Sequence, residues 1–417
     1  MFGKPIRAWE SVPPPAEAEA VIVGGGVHGL STAYFLAESR QMRPVALLEA
    51  GWIGCGNSGR SLGILRADPP SSQDLTGDGE ELELWRGLLG KRRLTELFYP
   101  CGLLSLAHGP AEMAEMRSRA VAGRLMGLKT ALLDPLACRE LVPALDVTDR
   151  PRHPVSGGLY HRSGGVIRAD RAIWELARDA AGKGVAIGEG VAVREITVRG
   201  GRVVSVETAA GPIRTPRVLV AAGTGSAELV RSVGVSLPLG NEQISALAGW
   251  PIQPLLEVAL ISDRYGLAAA QSYAGEIWLG GRTGSLPPDS LGRSPSETVP
   301  EDLAASAVEI LPCLAGVAFP RRWAGRVDRT PDGRPIVDGN VAAKGLFIDC
   351  GWGGLGFQPG PLTGRRLADF MATGRKPESL APFSLSRFMG KPRHSAPNSA
   401  NPPDDAAGAF PPSETTA

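Results

Sequence analysis

Cysteine, histidine and lysine are all scarce in this 417-residue chain. The five cysteines, Cys55, Cys101, Cys138, Cys313 and Cys350, are odd in number, far apart and form no Cys-x-x-Cys pair. That spacing argues against a disulfide framework or a cysteine zinc site and fits reduced thiols in a cytoplasm. His28, His108, His153, His161 and His394 share no helical ligand spacing, so no metal site is expected. No run approaches the roughly 18 apolar residues of a membrane-spanning helix. The N-terminus lacks the apolar stretch of a secretory signal. The net charge is +1, with 44 basic against 43 acidic residues. Without a basic surplus there is little to neutralise phosphates, which argues against nucleic acid as a partner. Seven of the basic residues are lysine, and none falls between Lys183 and Lys344.

Glycine is abundant instead. There are 54 glycines and 36 prolines, together more than a fifth of the chain. With 43% hydrophobic and 21% charged residues the bulk still has a globular composition. At about 150 residues per domain, two to three domains are expected.

The pattern opens with a Pro-rich lead-in over residues 1–19. A buried strand over Ala20–Val23 follows, then glycines, a helix from Leu30 to about Glu38, and a second strand ending at Glu49. Residues 80–98 and two stretches within 111–145 read as helices. Asp170–Gly182 reads as a helix with Asp170 as N-cap. Gly200-Gly201 between alternating runs predicts a hairpin. Strand Val218–Ala221 leads into Ala222-Gly223. Residues 240–285 read as sheet, Asp302–Leu311 as helix, 345–350 as a buried strand and Pro361–Met371 as a last helix. The Pro-, Ser- and Ala-rich tail reads as disordered.

The strongest local signal is Gly24-Gly25-Gly26-Val-His28-Gly29 between that first strand and its helix. The first glycine of Gly-x-Gly-x-x-Gly permits a tight turn, the second lets a pyrophosphate approach the backbone, and the third lets helix and strand pack closely. The helix N-terminus then offers free N–H groups to a diphosphate. Glu49, 20 residues past Gly29, is placed to accept from ribose hydroxyls. The motif predicts a dinucleotide but does not distinguish NAD from FAD. His28 reads as a packing or capping residue of the helix start. A second segment, Gly345 to Pro361, repeats the grammar of buried strand, glycine loop and helix start. A flavin ring suits such a place, because its reduced form carries negative charge that backbone N–H groups stabilise.

With these two motifs the chain resembles the FAD-dependent amine and amino-acid oxidoreductases that include D-amino-acid oxidase and glycine oxidase, and within them the beta subunits of multi-subunit sarcosine oxidases. Further stretches carry the resemblance: Gly51-Trp52 through Asn57 to Arg60, Ile64-Leu-Arg66, Gly102 to His108, Leu133-Asp-Pro135, Ser163 to Asp170, Trp323 to Asp332, Cys350-Gly-Trp352 and Leu380 to Phe388. It covers about residues 20–388.

The resemblance implies an α/β fold with a Rossmann-type FAD-binding domain and a second mixed-sheet plus helix substrate domain. The FAD domain would be assembled from 20–85, 150–230 and 325–388, and the substrate domain from 86–149 and 231–324, with 389–417 as tail. It implies non-covalent FAD at Gly24, Gly25, Gly26, Gly29 and Glu49, at Asn57, Arg60, Ser61 and Val193, and at Gly223, Gly354, Gly356 and Phe357. Arg66 matches the family's carboxylate-binding arginine, a task suited to a bidentate fork. The chemistry implied is removal of a hydride equivalent from the carbon beside a neutral amine. The product is an imine, which then hydrolyses. Partner subunits are implied as well.

Two departures stand out. Where the sarcosine oxidase beta subunit carries the histidine that holds FMN covalently, this chain has Ala169, so FMN could bind here only without a covalent bond. Where the family has a substrate-holding lysine, this chain has Gln358, a donor without charge. The lysine-free stretch also lacks a counterpart to the lysine that assists oxygen in monomeric sarcosine oxidases. That points to a dehydrogenase-like subunit, with Arg282 as the available cation. The alternatives are an FAD-linked dehydrogenase of a hydroxy acid and a non-catalytic flavin-holding subunit.

Overall fold

The computed structural model describes residues 9–39, 42–66, 80–125, 127–285 and 299–389, without the side chains of 91–92, 282–285 and 299–300. The expected disordered tail lies outside the described residues.

Continuous apolar runs build the first sheet, because strands covered on both faces need no polar alternation. Ala20–Val23, wholly buried, pairs in parallel with Val45–Glu49 on one side and Val218–Val220 on the other. Leu346–Cys350 extends the sheet beyond Val218–Val220, and Ile336–Gly339 closes that edge antiparallel. Ala186–Glu189 forms the opposite edge beside Val45–Glu49. Strands from both ends of the chain thus share one sheet, with Val218–Val220 between them.

One face is covered by Val27–Glu38, Ala169–Gly182 and Gly360–Thr373. Helix Ala169–Gly182 shows the reason in its sequence: Ala169, Ala172, Ile173, Leu176, Ala177 and Ala180 recur at helical spacing and are buried. Val27–Glu38 and Gly360–Thr373 cross closely because Gly360 and Gly364 carry no side chain. A Cβ at Gly364 would lie 2.5 Å from that of Ser31. The other face is covered by an antiparallel ribbon, Val193–Arg199, Arg202–Thr208 and Gly211–Arg214, whose Val193, Ile196, Val206 and Ile213 join the second core. The Gly200-Gly201 turn falls where expected, both residues at positive φ.

The larger sheet has eight strands in the order Arg321–Arg329, Gly240–Pro251, Glu276–Ser285, Leu267–Gln271, Ala259–Ser262, Leu103–Ala107, Gly157–His161, Thr130–Leu133. All its pairings are antiparallel except Ala259–Ser262 with Leu103–Ala107. Val299–Ile310 packs on one face. A small sheet of Ile64–Leu65, Gly165–Ile167 and Phe98–Tyr99 joins the two units.

Some details differ from expectation. Gly157–His161, grouped by sequence with the cofactor unit, pairs into the large sheet. So does the whole of Arg321–Arg329, part of which was also grouped there. Helix Ala169–Gly182 starts one residue before Asp170, which therefore sits in the first turn; Arg168 takes the cap position and makes no side-chain cap bond. The first helix begins at Val27 rather than Leu30, because Gly26 already has extended geometry.

Candidate active site

A cleft of about 810 Å³ opens beyond the carboxyl ends of the parallel strands, against the large sheet. Crevices at that end of open α/β sheets are where ligands bind.

The first glycine loop forms its floor. Gly24 and Gly26 line the cleft, whereas Gly25 and Gly29 support the loop from behind. Gly24 has φ +115°, and a Cβ there would lie 2.3 Å from the Ala221 carbonyl oxygen. A Cβ at Gly29 would lie 2.0 Å from the Gly24 carbonyl oxygen, so only glycine lets the helix start this close to the strand. Gly25 N–H donates to Glu49 Oε2 at 2.7 Å, and Gly51 N–H to Glu49 Oε1 at 2.8 Å. Cys55 Sγ also donates to Glu49 Oε1, at 3.4 Å, so Oε2, with a single donor, keeps the lone pair that can accept from a ribose hydroxyl.

The second loop is held by contacts that its sequence does not announce. Ser58 Oγ accepts from the Val27 N–H at the helix start, 3.1 Å away. Trp323 Nε1 donates to the Arg60 carbonyl at 2.9 Å. Gly325 leaves room for Asn57, whose Oδ1 would lie 2.3 Å from a Cβ there. Asn57, Arg60 and Ser61 consequently line the cleft together. Val193 lines the far end, and Gly223, at φ +55°, lines the turn after Val218–Val220.

The C-terminal loop closes the third side with Gly354, Gly356 and Phe357. Below it His28 stacks on Trp352, ring centroids 4.4 Å apart. Its Nδ1 lies 2.9 Å from Asp349 Oδ2, off the line of a good hydrogen bond. Trp352 Nε1 donates to Asp349 Oδ1 at 2.6 Å. His28 thus packs the first glycine motif against the last. Asp328 Oδ2 accepts from Gly351 N–H at 2.6 Å, and burial pushes its carboxyl up.

Arg66 and Gln358 meet, although not as paired substrate ligands. The Arg66 backbone N–H donates to Gln358 Oε1 at 2.6 Å, and Gln358 Nε2 donates to Glu81 Oε2 at 2.7 Å. Trp85 Nε1 donates to the Gln358 carbonyl at 3.0 Å, while its ring stacks on Phe357 at 5.0 Å. The amide of Gln358 is therefore occupied by protein groups. The Arg66 guanidinium is largely buried, and burial lowers its pKa. Its nearest carboxylate among the described residues is Asp263, exposed and 3.9 Å away. Arg119 is also buried, its pKa pushed down to about 10 by burial and then by Arg66. Burial, with Arg119 and Arg66, brings His161 down to about 3 and keeps it neutral. Arg282 sits in the large sheet opposite Ile244, and its side chain lies outside the described part. Ala169 is packed into the first core, 3% exposed.

A dinucleotide fits these residues. Three backbone loops line one continuous cleft, with Arg60, Arg194 and Arg326 among the lining residues. The Arg326 Nε is a buried donor with no partner among the described residues. Sequence reasoning missed Ser58, Glu81, Trp85, Arg119 and Arg326. The only signal for Ser58 was its place in a glycine-rich loop. The others are ordinary residues on helices or a strand. Among the described residues no helix is long and apolar enough to cross a membrane, no acidic, histidine or cysteine group could hold a metal, and all five cysteines are free thiols.

Comparison with known proteins agrees with this geometry. The family model described as FAD dependent oxidoreductase matches residues 19–370. The sarcosine oxidase subunit beta of Rhodobacter capsulatus is 31% identical over 382 residues, covering 92% of this chain and 91% of that protein. Glycine oxidase from Geobacillus kaustophilus superposes with a TM-score of 0.76 at 25% identity, over 90% of this chain and all of the other. L-proline dehydrogenase from P. horikoshii shares the fold, with a TM-score of 0.82 at 23% identity over 90% of this chain and 98% of its own.

Proposed function

Because the chain belongs to the family of FAD-dependent oxidoreductases, we propose that it oxidises a secondary amine or an amino acid whose carboxylate is held by Arg66. The supporting observation is a buried guanidinium whose nearest carboxylate among the described residues is the exposed Asp263, on a residue whose backbone N–H is tied to Gln358, next to Phe357 at the end of the C-terminal glycine loop. Bound FAD supplies the two-electron acceptor for a hydride equivalent leaving the carbon beside the amine, which becomes an imine. The chain's own residues bind and orient. Gly24, Gly26, Ser58 and the helix start would hold the diphosphate; Glu49 would take the ribose; Val193 would meet the adenine; Gly354 to Phe357 would meet the ring. Arg66 would fix the substrate carboxylate, a charge-assisted bidentate contact. The parallel-sheet unit carries the cofactor and the eight-stranded sheet covers the substrate. No acid–base side chain is needed if the amine arrives unprotonated.

The relatives named as beta subunits support a further element: this chain works beside partner chains and passes electrons onward. The absence of lysine from 184 to 343 favours transfer to an acceptor other than oxygen. The free thiols fit a cytoplasmic location.

The test is spectroscopic. The purified protein should be yellow, and acid should release all its flavin as FAD. Anaerobic sarcosine or L-proline should bleach it, and 2-hydroxy acids should not. Bleaching by hydroxy acids alone would select the hydroxy-acid alternative, and flavin that no amine bleaches would leave a flavin-holding scaffold. Stopped-flow reoxidation faster with air than with a quinone dye would remove the dehydrogenase reading.

A further inference from the structure

We propose that Glu81 is a positioning residue of the substrate site: it anchors Gln358, and through Gln358 the backbone of Arg66, so that the grip on a substrate carboxylate depends on a hydrogen-bonded chain reaching in from the first half of the helical segment Glu80–Leu97, which kinks at Gly90. The inference rests on the assignment of Arg66 to the substrate carboxylate.

The direction of the chain follows from chemistry. The Arg66 backbone N–H can only donate, so the Gln358 amide must turn its oxygen toward it. That leaves Nε2 facing Glu81, which must accept through Oε2. Trp85, one turn further along the same helix, secures the other side of Gln358 by donating to its carbonyl and stacking on Phe357. Two residues of one helix thus clamp the segment that follows the C-terminal glycine loop. Three hydrogen bonds fix it, two of them joining positions 277 and 292 residues apart.

Glu81 is 3% exposed, and its Oε1 is buried without a hydrogen-bond partner among the described residues. An acceptor oxygen left over in this way can carry a proton without disturbing the bond at Oε2. Burial accordingly raises the carboxyl to about 7, against a lowering by the Gln358 bond and the charge of Arg366. The surrounding charges among the described residues are few. Arg366 faces Glu81 from the helix Gly360–Thr373; Arg365 of that helix contacts Glu80, and Arg366 lies 3.7 Å from it. On its own helix Glu83 is paired with Arg86. Segment 357–358 presents only the amide, and Arg66 presents its backbone N–H. A charged acceptor makes the stronger bond, so the clamp is tight when Glu81 is ionised and slack when it is protonated.

The pairing also explains the glutamine. A lysine at position 358 would meet the Glu81 carboxylate, and its charge would be shared with Glu81 before it reached a substrate.

The experiment compares the holoenzyme with its Glu81→Gln and Glu81→Ala variants. Anthranilate Kd is read from the flavin absorbance and sarcosine KM from turnover, both from pH 6 to 8.5. Gln keeps an acceptor for Gln358 but cannot ionise. The variant-to-wild-type ratio, which cancels the ligand's own titration, should be about 1 at pH 6 and rise to about three- to fivefold at pH 8.5. Glu81→Ala should weaken binding at every pH, and Glu81→Gln should restore it at pH 6. A ratio that stays flat in both readouts, while Arg66→Lys weakens binding, overturns the proposal. If Arg66→Lys is silent too, the assignment of Arg66 falls and the proposal falls with it. If Glu81→Ala does not fold, the Glu81→Gln ratio alone decides.

Discussion

The two ends of the site are built from different material. The end assigned to the cofactor lines the cleft and is mainly backbone: glycines at Gly24, Gly26, Gly223, Gly354 and Gly356, and a helix start. The end assigned to the substrate begins behind Phe357, outside the cleft lining, and is side chains: Arg66, Gln358, Glu81 and Trp85, drawn from three separate stretches. A backbone site depends on where a Cβ is forbidden, and tolerates little. A side-chain site depends on pairings that can be exchanged together. The first therefore leaves little freedom in sequence, and the second can change by paired substitution.

The largest effect should come at the backbone end. Gly29→Val sets a Cβ against the Gly24 carbonyl, and the loop must move or the helix must retreat. Loss of bound flavin, read as the absorbance ratio of purified protein, is expected; a fully loaded variant would show that the close approach is dispensable. At the other end Arg66→Ala should leave flavin loading intact and raise KM for a carboxylate-bearing amine by roughly 30- to 100-fold. That corresponds to about 2–3 kcal/mol for a desolvated charge-assisted contact. Equal losses of flavin in both variants would erase the distinction between the two ends.

Glu81 offers a sharper cut, because stability and binding should move in opposite directions. Its pKa in the fold, about 7, lies above the ordinary 4.5. Stability linked to the proton is thus fully present below about pH 4.5 and is lost as pH rises through about 7. Glu81→Gln should then raise the unfolding free energy relative to wild type at pH 8.5 and not at pH 4.5, by at most about 3 kcal/mol and read as a higher Tm, while weakening ligand binding at the same high pH. A stability gain without the binding loss would make Glu81 merely an uncomfortable buried acid. The smallest effect belongs to Ser58→Ala, which deprives the Val27 N–H of its acceptor. About 1 kcal/mol is expected, measured as a several-fold rise in the dissociation constant for FAD.

The same contrast governs what could be read in advance. The strand–glycine–helix unit, Glu49 at the end of the next strand and the second glycine loop before Pro361 are written in adjacent residues, since local backbone geometry selects local sequence. The parallel strands were legible for a related reason, because their two covered faces demand unbroken apolar runs. The strand Gly157–His161 was not, because its neighbours Leu103–Ala107 and Thr130–Leu133 are chosen by the topology of the large sheet. Gln358 was legible as a position and not as a role. Its amide points to whatever the fold sets beside it, and that is a glutamate far away in the chain.

By itself the sequence determined that two glycine loops at opposite ends of the chain offer backbone to a dinucleotide, because a missing Cβ is a property of the residue. Only the tertiary structure decided that Ser58 serves the first helix, that His28 rests on Trp352, and that Arg66, Gln358 and Glu81 form one chain. A hydrogen bond between side chains is a property of two positions, and nothing in either residue names the other.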